Sequence, residues 1–311
     1  MPDIPADLVH PDPMPTIELI LPKRDAPNEL PADDQTALES AYLKLERISY
    51  AARLTGLLGR QIELAGSMVP AVARRVANYA AEKALRAAVH VALRSLGRSP
   101  SPSPSLLQDD GEVKRLTSGR ASSSRIHRTL AAASGATGGA LGLASLPLEL
   151  PISTVILLRA IADIAWQEGE DPANPETALA CMQVFALGGP TSSDNSMDNG
   201  YFAIRALLAR SISDAAKYVT ASGVAIESAP ALVRLFSQLS ARFGLIVSQK
   251  AAAQAVPIIG AIGGAAVNFA FMEHFQKLAE GHFTIRRLER TYGAERVRTC
   301  YEAIRAKGAG A

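Results

Sequence analysis

Three polar side chains stand where the surrounding sequence is apolar: Glu149 between Leu148 and Leu150, Arg159 directly after Ile156-Leu157-Leu158, and Asn268 between Val267 and Phe269. Burying such groups is costly unless they are paired. They can hydrogen-bond one another or close helix bends, or they can line a polar ligand or hydrolase site between packed helices. Other chemistry has less support. His274 and His282 flank Glu280 but are eight residues apart, twice the spacing that puts two histidines on one zinc; they read as surface or capping residues. Cys181 and Cys300 form no CxxC set and read as free, buried thiols of a reduced cytoplasm. No GxSxG elbow occurs. Asp194 to Gly200 alternates oxygen ligands as a calcium loop does, but its glycine comes one residue late and Arg205 stands where the closing glutamate belongs. The stretch reads as a polar surface loop, and no metal and no cofactor is expected.

Two charge-free segments rich in glycine and alanine, Thr129 to Leu148 and Ala251 to Met272, are the main demand on the fold. Gly135 and Gly139, Gly138 and Gly142, and Gly260 and Gly264 form GxxxG pairs, which put two glycines on one helix face and let another backbone approach closely. Helix packing and membrane contact both use that spacing. About 20 apolar residues span a bilayer, yet alanine and glycine partition into lipid less well than leucine, and Pro257 interrupts the second segment. A buried soluble hairpin, a re-entrant or peripheral membrane insertion, and a true span all remain open. The first segment follows Lys114, Arg115, Arg120, Arg125 and Arg128, set against the single acid Glu112, a run suited to an anionic cytoplasmic membrane surface. The glycines do not form a phosphate cradle, because no Lys-Ser or Lys-Thr pair follows them.

The elements that must position these residues are helical throughout, since no stretch alternates with a period of two. Residues 1–35 form a proline-rich tail. Residues 36–97 form a helical pair, starting at a Thr36/Glu39 capping box and folding back antiparallel near Pro70. Residues 98–112 form a Ser/Pro linker, and 113–311 a second helical domain. In that domain Pro147 and Pro151 predict a bend that makes the first glycine-rich segment one arm of a hairpin. The arm Ile152 to Glu168 carries a polar stripe of Arg159, Asp163 and Gln167. Asn174 and Pro175 start the next helix, and Tyr292-Gly293 ends a long one. The expected fold is an all-α bundle with two Gly/Ala-rich hydrophobic hairpins at its centre.

Composition agrees. Of 311 residues, 48% are hydrophobic but only 5% aromatic, so the packing units are small. A net charge of +2, with opposing charges spread along most of the chain, argues against a dedicated nucleic-acid binder, and the acidic, proline-bearing N-terminus lacks the pattern of a secretory signal.

The blocks GGALGLASLPLELPISTVILLRAIADIAWQEGEDP and AVPIIGAIGGAAVNFAFMEHFQKLAEGHFTIRRLERTYG resemble the EcsC protein family over roughly Val113 to Ala306. The likeness rests on the Leu-Pro, acid, Leu-Pro turn, on Gly169 and Asp171, and on the Val-Pro-Ile-Ile-Gly start. Asn268, Arg286, Arg287 and Tyr292-Gly293 complete it. The family's namesake is encoded beside subunits of an ABC transport system. The resemblance therefore implies a cytoplasmic, non-enzymatic accessory protein at the inner face of the cell membrane, partnered by a membrane surface or membrane protein. It carries over no catalytic residue. A hydrolase or small-ligand enzyme, and a soluble helical scaffold, are the alternatives.

Overall fold

A computed structural model describes residues 30–46, 71–95, 146–171, 174–187, 200–222, 229–254 and 260–309. Among these every regular element is an α-helix: α1 (Ala32–Glu46), α2 (Ala71–Ser95), α3 (Leu146–Gln167), α4 (Pro175–Leu187), α5 (Tyr201–Ser222), α6 (Pro230–Gln254), α7 (Gly260–Tyr292) and α8 (Ala294–Ala309). The linker 98–112, the basic run and Gly135, Gly138, Gly139 and Gly142 lie outside the described residues. The second glycine-rich segment is divided between the last turn of α6 and the start of α7, which contains Gly260 and Gly264.

The long helix α7, about 50 Å from end to end, is the axis. It packs against α1, α3, α4, α6 and α8. At its centre Phe271 and Phe275 meet Phe243 of α6 and Phe185 of α4, with ring centroids 5.1–6.1 Å apart. On the other side of the bundle α2 turns an alanine face, Ala77, Ala80, Ala81, Ala84 and Ala88, all buried, toward α3 and α6. Side chains this short let helix axes approach closely.

Most of the first arm of the expected antiparallel pair, and its turn near Pro70, lie outside the described residues; of the described helices, α1 docks on α7 and α8, and α2 on α3 and α6. A notch selects the site of α1. A Cβ built on Gly281 of α7 would lie 2.8 Å from Leu45 Cγ and 3.1 Å from the Ala41 carbonyl oxygen, so only glycine lets α1 sit this close. Polar contacts complete the docking. Asp34 accepts from Arg287 and from the Tyr292 hydroxyl, Lys44 pairs with Glu280, and Glu46 accepts from the Tyr201 amide and the Tyr301 hydroxyl. The helices on either side of the Ser/Pro linker thus share one core.

Two expectations differ from the structure. Helix α1 begins at Ala32, with the Pro31 carbonyl accepting from Gln35; the Thr36 hydroxyl bonds back to the Ala32 carbonyl instead of capping the helix. Pro147 and Pro151 both lie inside α3. Pro147 sits in the first turn, where an amide has no helical partner, and Pro151 forfeits only the bond that would return to Pro147. The bend is therefore unnecessary. The cap on α4 is as expected, with Asn174 Oδ1 accepting from the Glu176 amide at 2.8 Å.

Candidate functional site

Glu149 lies in the first turn of α3, immediately after the first glycine-rich segment, and Lys250 lies near the end of α6, immediately before the second. Their side chains meet: Lys250 Nζ donates to Glu149 Oε1 at 2.8 Å, with the lysine side chain 0% exposed. The ammonium also stands 4.7 Å from the centroid of Phe271, whose π face attracts a cation. Burial pushes the Lys250 pKa down, and the Glu149 carboxylate opposes that shift through its charge and hydrogen bond. The two segments therefore depart from a common point, fixed by a buried ion pair. Sealed from water, the pair positions helices and offers no group to a dissolved substrate.

The other two sequence candidates lie on α7 and farther along α3. Asn268 is buried on α7, three residues before Phe271 and so on much the same helix face. Arg159 is exposed, ten residues beyond Glu149 and about 80° round the axis of α3. The structure joins Glu149 to Lys250 rather than to Arg159. Its signal in the sequence was a lone cation between Val247 and the run Ala251-Ala252-Ala253, which reads equally well as the polar end of a helix.

A second polar cluster closes the other end of α3. Gly169, at φ 81°, reverses the chain; its amide bonds to the Trp166 carbonyl and that of Glu170 to the Ala165 carbonyl, a Schellman cap. The turn presents Glu168 and Glu170 to successive arginines of α7. Arg286 Nε donates to Glu170 at 2.7 Å, Arg287 Nε to Glu168 at 3.1 Å, and Arg290 to Glu170 and to the Glu168 carbonyl. Burial would raise the Glu170 pKa, but Arg286, Arg290 and Thr177 outweigh it and hold the carboxyl below its ordinary range. Charges here balance, so the cluster fastens α3, α7 and α1.

His274 and His282 are core residues, not surface or capping ones. His282 Nδ1 shares a proton with the Tyr201 hydroxyl at 2.8 Å, and burial, with Arg205 and Arg286, drives its pKa well down. Cys181 and Cys300 are buried thiols outside any disulfide, and burial raises the Cys181 thiol to about 12. Among the described residues one stretch, Pro230–Ala253, is long and apolar enough to cross a membrane. It carries Leu232, Leu235, Leu239, Phe243 and Ile246 into the core, and Lys250 into the ion pair.

The EcsC protein family matches residues 38–288 of the 311-residue chain. The chain belongs to the EcsC protein family. No curated protein and no solved structure matches it. The EcsC match starts within α1, upstream of the resemblance read from the two glycine-rich blocks, and takes in α2 and the linker. The buried pair, the Glu168/Glu170 turn and Arg286 and Arg287 all fall inside the EcsC region.

Proposed function

We propose that this EcsC-family chain is a non-enzymatic accessory protein that docks at the cytoplasmic face of a membrane, on lipid or on a membrane-protein partner, through its glycine-rich segments. One observation carries the reading. Each segment brings a large apolar side chain to the surface: Leu148, the last residue of the first, is 72% exposed, and Phe269, near the end of the second and between buried Val267 and Phe271, is 39% exposed. A soluble core gains nothing from leaving them out. The cations from Lys114 to Arg128 directly precede the first segment and suit an anionic headgroup surface. The sealing of Glu149 by Lys250 favours a structural over a catalytic role for that residue.

The test is sedimentation of the full chain with vesicles containing phosphatidylglycerol. The protein is expected to pellet with them at low salt and to be released as ionic strength rises. Protein that stays in the supernatant at low salt, and in the soluble fraction of lysed cells, sinks the reading.

A further inference from the structure

The outward face of α3 is unusual for a helix of a soluble bundle. Leu148, Ile152, Val155, Arg159 and Trp166 recur at steps of four, three, four and seven residues and so fall in one stripe. Leu148, Ile152 and Trp166 are 72%, 58% and 56% exposed. The stripe is about 27 Å long. The polar stripe expected from Arg159, Asp163 and Gln167 is thus mixed with large apolar side chains over the same arc. The opposite face is committed to the core: Leu150, Leu157, Ile161 and Ile164 are buried there, and Glu149 is held by Lys250.

We infer that this stripe of α3 is a lipid-contact surface that lies flat along the headgroup layer of an anionic bilayer; the inference rests on the membrane reading above and specifies which surface touches lipid. Three features select lipid as the occupant. The stripe begins in the final residue of the uncharged segment, so it continues a membrane-directed stretch of chain. The five cations from Lys114 to Arg128 come just before that segment and complement anionic headgroups. Within the stripe, a long-stemmed arginine and a tryptophan among aliphatic residues are side chains that settle at headgroup depth. The buried pair fixes the orientation, because α3 cannot cross the bilayer while its inner face stays in the bundle. Contact of this kind is shallow, with the apolar edge reaching only about 5–10 Å into the interface.

Trp166 is the sole tryptophan, so selectively excited tryptophan fluorescence of the full chain reports on this stripe. Adding phosphatidylglycerol-containing vesicles is expected to shift its emission to the blue and expose it to quenching by chain-brominated lipids. Ile152→Glu, at an exposed position, is expected to weaken vesicle binding roughly tenfold while leaving circular dichroism unchanged. Protein that pellets with vesicles while its Trp166 emission and quenching stay unchanged overturns the stripe and leaves the membrane reading intact. Failure to pellet overturns both. A blue shift that grows with protein concentration in lipid-free buffer assigns the stripe to a second copy of the chain and overturns the lipid assignment.

Discussion

Lys250 shows how one side chain can decide the arrangement of three helices. Its ammonium reaches Glu149 across 101 positions of sequence and rests on Phe271, so it ties α6 to α3 and α7 at once. Desolvating two charges offsets most of their attraction, so the pair adds little net stability, whereas removing one partner strands the other. Lys250→Met is therefore expected to destabilise the fold by about 3–5 kcal/mol, and adding Glu149→Leu to recover most of that loss. Urea denaturation of the two single variants and the double variant measures this; equal stability of Lys250→Met and the parent would show that the pair is not held charged. Half of the pair was legible in the sequence. Glu149 is flanked by leucines and stands out, but Lys250 follows Ser248-Gln249 and resembles the polar end of an amphipathic helix. Nothing local joins two residues so far apart.

Elements whose ends are set by local chemistry were the readable ones. Asn174-Pro175 starts α4 and Gly293, at φ 88°, ends α7, because a side-chain acceptor and a left-handed glycine act within a few residues. Pairing between elements was not readable. The notch at Gly281 and the alanine face of α2, seen in three dimensions, set which neighbours α1 and α2 take. The two prolines of α3 misled for a related reason, since proline in a first turn costs far less than proline in a helix interior. The notch is testable. Gly281→Ala is expected to destabilise the protein by about 1–3 kcal/mol through overpacking against Ala41 and Leu45, despite alanine's better helix propensity. Stability at or above that of the parent in urea denaturation would show that α1 yields without cost.

For the molecule as a whole, the charges that fasten its helices set how it responds to acid. His282 is buried with a pKa below its ordinary 6.5, facing Arg205 and Arg286 and bonded to Tyr201. The unfolded chain therefore binds a proton that the fold refuses, and stability falls as pH drops below 6.5. Glu170 and Asp34 are also depressed, Glu170 by Arg286 and Arg290 against its burial, Asp34 chiefly by the Tyr292 hydrogen bond. Their contribution is complete above the ordinary values of 4.5 and 3.8 and is lost as pH falls below them. Two successive losses are expected in a stability–pH profile, and His282→Gln should flatten the first without moving the second. A profile flat from neutral pH down to 4.5 would show that His282 titrates normally.

The all-helical architecture was legible at this scale because apolar spacing reports it directly, and the contact between the first helix and the last ones was not, because spacing along one helix says nothing of a partner far along the chain. That late meeting has a consequence for biosynthesis. Asp34 bonds to Arg287 and Tyr292 at separations of 253 and 258 residues, so α1 docks on a helix synthesised long after it. Leu38, Ala41 and Tyr42 are buried in a core to which α7 and α8, the described partners of α1, contribute. The α7 and α8 surfaces on which α1 rests are made only after most of the residues between have been synthesised, which makes the order of translation part of how this bundle closes.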